Sequence, residues 1–203
     1  MNLNDFFPMV TCVNLLDRKD RWHDAQTELG RVGIKCDRFD AFKDINPVRG
    51  CLMSHLAILR EAQERQENVF IFEDDVLFID EDYENTISQA LTELDPNFDM
   101  FYLGANICNK IHKVSPHVGK LTHAQATHAY GVSAKFLGKL IPMIENFYSH
   151  IDLLYGYEVV PNNNCYITIP LVAIQRASFS NIENRIVDYE WMKARYEFCL
   201  TNH

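Results

Sequence analysis

Glycine is scarce, with 8 residues in a chain of 203. No two glycines are separated by a single residue, so GxGxxG is absent, and so is GxxxxGK[ST]. A dinucleotide fold or a P-loop therefore has no support, because both need a glycine-lined phosphate cradle. Positive charge is also short. Nineteen Lys and Arg face 28 Asp and Glu, a net charge of −9. Nucleic acid is excluded as the main partner, since phosphate binding needs a basic face. No apolar run approaches the roughly 18 residues of a membrane span, and no internal repeat or low-complexity linker occurs. Asp5 and Pro8 interrupt the one N-terminal stretch that could serve as a signal peptide. The six cysteines are scattered without a CxxC pair, which points to free thiols in a reducing compartment and to a cytoplasmic protein.

What remains is a chain with 47% apolar residues, long enough for one sizeable domain over residues 1–203. Met9 to Leu16 is apolar and β-rich, a buried first strand. A polar, helix-friendly stretch follows Asp17 and ends near Gly30 or Gly33. Ile34 to Phe39 forms a second short strand. Residues 53 to 66 form an amphipathic helix with Leu56, Leu59 and Ala62 on one face and Ser54 as its N-cap. Val69 to Phe72 has the continuous apolar character of a buried parallel strand. A helix over Asp80 to Leu94 and a strand over Asp99 to Leu103, closed by Gly104, come next. The pattern weakens from Asn106 to His128. A helix over Ser133 to Phe147 and strands at Cys165 to Ile169 and Leu171 to Gln175 complete the chain. This alternation predicts an α/β fold, a mostly parallel sheet with helices on both faces.

The stretch FIFEDDVLF at 70–78 sets three consecutive acids at the end of an apolar strand. Like charges so placed repel one another and resist desolvation. Open α/β sheets bind ligands at the carboxyl ends of their strands, and hard cations such as Mg²⁺ and Mn²⁺ take carboxylate oxygens and bridge to phosphates. The alternative is an acidic loop favouring the N-terminus of the helix near Asp80. With no glycine cradle, a metal is the natural means of holding a phosphorylated ligand. His112, His117, His123 and His128 lack the spacing of a zinc site.

Other segments fall into a distinctive order. NLLDRKDR spans 14–21, RGCLMSH 49–55, FEDD 72–75, THAYGVSAKFLGKLI 127–141 and IPLVAIQRASFSNIE 169–183. In these segments, from Val10 to Ile182, the chain resembles glycosyltransferase family 25, which includes lipooligosaccharide and collagen galactosyltransferases. The resemblance implies a GT-A-like fold, a UDP-sugar donor, Mn²⁺ or Mg²⁺, and inverting transfer of galactose or glucose to a hydroxyl on a glycan or hydroxylysine-type protein acceptor. It puts Asn14, Asp17, Arg18 and Arg21 beside the nucleotide and Ser54 and His55 near the donor pocket. The acidic motif becomes Glu73-Asp74-Asp75, with Asp75 and Glu73 on the metal and Asp74 among the nucleotide contacts. Many members carry E-x-G-C where this chain has Val48-Arg49-Gly50-Cys51, so no contact through that acid carries over.

Each residue also has a structural role open to it. Asp17 can N-cap the following helix, with Arg18 and Arg21 solvated on its face, and His55 can be a packed histidine. An in-line attack needs a base opposite the diphosphate, away from the acidic motif. Asp152, in the apolar-flanked HIDLLYGYE turn, is the first choice, and Glu158 is the reserve. Two other classes compete: a carbohydrate- or partner-binding domain of the same fold without turnover, and a receiver-type phosphorylation domain. The second fits poorly, because its acids would follow the third strand and the chain is long for it. Oligomeric state is not legible.

Overall fold

The computed structural model describes residues 1–180 and 185–201. Asn181, Ile182 and Glu183, the end of the IPLVAIQRASFSNIE segment, lie outside the described residues. The chain runs through α1 (Leu3–Phe6), β1 (Met9–Asn14), α2 (Lys19–Arg31), β2 (Asp37–Asp40), α3 (Pro47–Arg65) and β3 (Val69–Glu73). It continues with β4 (Val76–Phe78), α4 (Tyr83–Glu93), β5 (Met100–Ile107), β6 (His112–Lys113), β7 (Val118–Lys120), β8 (Ala124–Val132) and α5 (Ala134–Glu145). After α6 (Ile151–Leu154) come a π-helical turn at Tyr155–Val159 and a 3-10 turn at Val160–Asn162. Then follow β9 (Cys165–Thr168), β10 (Ala173–Gln175), β11 (Ser178–Ser180), β12 (Arg185–Val187) and α7 (Trp191–Thr201).

Eight strands form one sheet in the order β2-β1-β3-β8-β5-β9-β7-β6. Strands β2, β1, β3, β5, β9 and β6 share one direction, while β8 and β7 oppose it. The sheet is thus α/β and mostly parallel in direction, as the sequence predicts. Side-chain alternation along β3 explains why both faces are covered. Val69 and Ile71 enter one core with Leu56 and Leu59 of α3 and Leu140 of α5. Phe70 and Phe72 enter the other with Leu29 of α2 and Leu91 of α4. No helix among the described residues is long and apolar enough to cross a membrane.

Topology fixes where a ligand can sit. From β1 the chain moves to β2 on one side, then crosses to β3 on the other. The carboxyl ends of β1 and β3 therefore flank a switch point, where the two connections diverge and leave a crevice. Because β8 runs backwards, its early residues reach the same edge, with Ala129 opposite Phe72.

Several local expectations change. Helix α3 starts at Pro47, and Asn46, whose side chain accepts from the Val48 amide at 3.1 Å, is its N-cap. Ser54 instead lies inside the helix, its hydroxyl donating to the Gly50 carbonyl at 2.7 Å and accepting from the Phe42 amide at 2.9 Å. Gly50 is tolerated within the helix because a Cβ there would meet the Phe42 carbonyl at 2.6 Å. Strand β5 does not stop at Gly104. The missing Cβ lets the Ala173 backbone approach, and the register with β8 shifts around it. Strand β2 starts three residues later than expected, at Asp37, as an exposed edge strand. The THAYG segment, which the sequence leaves without a regular pattern, is part of β8.

Candidate active site

Asn14, at the end of β1, is buried and bonds in three directions. Its amide donates to the Arg18 carbonyl at 3.1 Å and to Asp74 Oδ2 at 2.6 Å, and its oxygen accepts from Arg38 at 2.7 Å. Arg21, one turn into α2, lies 3.0 Å from Asp74 Oδ1 and 2.8 Å from Asp75 Oδ2. Glu73 continues the face of Val69 and Ile71 and turns the other way. Its Oε1 accepts from the Thr127 hydroxyl at 2.5 Å and lies 3.3 Å from His55 Nε2. His55 is fully buried, and its Nδ1 is 2.8 Å from the Tyr130 hydroxyl, which is 3.3 Å from that of Tyr155.

These partners divide the three acids. Burial raises Asp75 most, Glu73's charge adds to it and Arg21 opposes both, leaving it at about 7. Asp74 is raised too, chiefly by burial, against the pull of Arg21 and Asn14. Burial also acts upward on Glu73, but His55 and the Thr127 hydroxyl outweigh it and hold Glu73 at about 2. Of three adjacent carboxyls, one is firmly ionised and one holds its proton near neutrality, as repulsion at short range requires.

The acids lie on the floor of a cavity of about 510 Å³. Asn14, Arg21, Ser54, His55, Glu73, Asp74, Asp75 and Asp152 all line it. Asp17, Arg18 and Glu158 do not. Asp17 is exposed and pairs with Lys43, itself a lining residue, at 2.5 Å. Arg18 pairs with Asp20 at 3.0 Å. Glu158 is exposed, because the π-helical turn buries Tyr155 and Val159 and leaves it outside. Asp152, on α6, has its carboxyl raised by burial first, with His150 opposing and the charge of Glu73 adding.

A hard divalent cation fits this donor set at one point. Asp75 Oδ1 is buried and has no hydrogen-bond partner, while Asp74 and Glu73 are engaged. Among the described residues, one group of His, Cys, Asp and Glu has metal-ligand proximity, namely Cys51, His55 and Glu73. The four histidines from His112 to His128 form no such group there. His128 is buried on β8, its Nε2 3.4 Å from the Ala173 carbonyl.

Thr127, Tyr130, Gln175 and Lys43 were not singled out from the sequence. Thr127 and Tyr130 carry no periodic signal, because every position of β8 from Thr127 to Val132 is buried and no apolar–polar alternation marks the strand. Gln175 Nε2 lies 3.4 Å from Asp75 Oδ2 and comes from β10, which pairs with β4 just past the acids.

The model of one family, described as glycosyltransferase family 25 (LPS biosynthesis protein), matches residues 46–157, just over half the chain. No curated protein matches it in sequence. Solved structures of similar shape include a glycosyltransferase involved in glycosylation of the major capsid of PBCV-1. That match has 10% identity and a TM-score of 0.48 over 80% of this chain and 93% of that one. Another is A197 from STIV, with 12% identity, a TM-score of 0.46, and 88% and 93% coverage. A third is a mannose-1-phosphate geranyltransferase from Thermus thermophilus, with 10% identity, a TM-score of 0.41, and 80% and 59% coverage.

Proposed function

Because the chain belongs to glycosyltransferase family 25, we propose that it moves a hexose, galactose or glucose, from a UDP-sugar to a hydroxyl acceptor with inversion. The carrying observation is the acid turn at the carboxyl end of β3, on the floor of the switch-point cavity, with a buried carboxylate oxygen of Asp75 left open. Asp75 would hold Mn²⁺ or Mg²⁺, which when bound offsets the charge of the leaving diphosphate. Asn14 and Arg21 orient the acids by fixed hydrogen bonds. Glu73 is turned toward His55 and Thr127, which makes it a weaker choice of ligand than the resemblance implied. Asp152, a half-buried carboxyl on the cavity wall, takes the proton from the acceptor hydroxyl. Its raised pKa brings it nearer the working range of a general base. The acceptor is a glycan or a hydroxylated side chain.

Thermal unfolding with a panel of UDP-sugars, with and without Mn²⁺, tests the donor. Ligand at about 100 times its Kd adds about 2.7 kcal/mol, roughly 5–10 °C for a domain of this size. Stabilisation by nucleotide and metal together, followed by UDP release when acceptor is added, is the expected pattern. Stabilisation without UDP release favours the binding-domain alternative, and no shift with any UDP-sugar removes the donor assignment.

A further inference from the structure

Cys51 and His55 are four residues apart on α3, so both side chains leave one face of the helix. Glu73 approaches them from the end of β3. A sulfur, an imidazole nitrogen and a carboxylate oxygen from these residues lie within 4.8 Å of one another, and all three residues line the cavity. In a tetrahedral zinc site the donor atoms sit roughly 3.3–3.6 Å apart, a closure that side-chain rotation can supply.

A second observation points at a ligand. Most packed histidines satisfy both ring nitrogens; His123 Nε2 and His128 Nδ1 are also left open here, but among the described residues only His55 lies in a group of ligand atoms. His55 has its Nδ1 against the Tyr130 hydroxyl, but its fully buried Nε2 has no hydrogen-bond partner. Glu73 Oε1 is 3.3 Å away, within ion-pair distance but without a hydrogen bond to it. The arrangement matches that of metal-ligating histidines, whose second nitrogen donates to a fixed oxygen that sets tautomer and ring orientation. In that role the Tyr130 oxygen would receive the Nδ1 proton at 2.8 Å and pass its own toward the Tyr155 hydroxyl at 3.3 Å.

We propose that Cys51, His55 and Glu73 form a zinc site, distinct from the hard-cation position at Asp75, with three protein ligands and a fourth position open to the cavity. A thiolate and an imidazole select Zn²⁺ over Mn²⁺ or Mg²⁺, which prefer oxygen. On binding, the Cys51 S–H bond breaks as the S–Zn bond forms, and the proton goes to solvent. The inference goes beyond the transfer reading and does not require it.

The full chain, stripped with chelator, is titrated with Co²⁺ and then Zn²⁺. Expected are one thiolate-bound Co²⁺ per chain, counted from its thiolate-to-cobalt charge-transfer band, and loss of that band as Zn²⁺ displaces cobalt. Cys51→Ser should abolish the band. Tyr130→Phe should keep it and weaken Zn²⁺ binding about tenfold. Asp75→Asn should leave band and stoichiometry intact even though it removes metal-dependent UDP binding, so the two readings fail separately. In wild-type protein, Zn²⁺ should slow alkylation of Cys51, read by mass spectrometry of its peptide, which needs no variant. Absence of the band, its survival in Cys51→Ser, its loss in Asp75→Asn, or equal alkylation with and without Zn²⁺ overturns the proposal.

Discussion

Replacing Asp75 with Asn separates an acid kept for a ligand from one kept for the fold. Its folded-state pKa is pushed from 3.8 to about 7, by burial and by Glu73's charge, despite Arg21. Below about pH 4 the carboxyl is neutral in both folded and unfolded chains. Between about pH 4 and 7 the folded state holds a proton that the unfolded state has lost, so stability falls as pH rises through that window. Above about pH 7 both states are ionised and the whole cost is present. A displacement of about three pK units corresponds to about 4 kcal/mol, which we take as a ceiling. Asparagine resembles the neutral acid and never incurs the cost. Metal-free Asp75→Asn should therefore match wild type near pH 4 and exceed it at pH 8. A gain of about 1–3 kcal/mol raises Tm by roughly 2–12 °C for a chain of this length. Thermal unfolding in chelator at the two pH values provides the measurement. Adding Mn²⁺ and UDP at pH 8 should stabilise only the wild type. An Asn variant less stable at pH 8, or a pH-independent difference, refutes the electrostatic argument. A metal-dependent UDP shift that survives refutes the ligand role.

Asp152→Asn should lower kcat by a factor on the order of 10² to 10⁴ in a UDP-release assay while leaving UDP affinity within about twofold; an unchanged kcat removes Asp152 as the base. Gly104→Ala should destabilise the fold, because the new Cβ would lie 2.0 Å from the Ala173 carbonyl oxygen and 2.5 Å from His128 Nε2. Overpacking of this kind costs about 1–3 kcal/mol, and a Tm within about 1 °C of wild type would show that β10 yields without cost.

The legible parts of the fold were those whose signal is local. Val69 to Phe72 announces a buried strand because both of its faces meet a core, and the periodicity at Leu56, Leu59 and Ala62 announces a helix because one face meets one core. The start of α3 was missed because Gly50 resembles a breaker. Only its contact with the Phe42 carbonyl, eight residues back, explains why a glycine belongs there. Strand β8 was missed for a related reason. Its partners β3 and β5 come earlier in the chain, and its Thr, His and Tyr side chains are polar groups buried by pairing across the sheet.

The acid turn follows the same division. Sequence places Glu73, Asp74 and Asp75 at the end of one strand and can say only that three like charges conflict. The fold resolves the conflict by giving each acid a different surrounding. Glu73 meets His55 from α3 and Thr127 from β8, Asp74 meets Asn14 from β1, and Asp75 meets Arg21 from α2 and Gln175 from β10. The ionisation of each acid thus depends on partners up to 100 residues away. A short apolar strand is a suitable carrier for such a turn. Phe70 and Phe72 anchor it in one core and Val69 and Ile71 in the other, so the carboxyls cannot relieve their repulsion by moving apart. What relieves it is Arg21 and the histidine beside Glu73, and one oxygen of Asp75 is left over. That oxygen, buried and without a hydrogen-bond partner, is the one the proposed cation would meet.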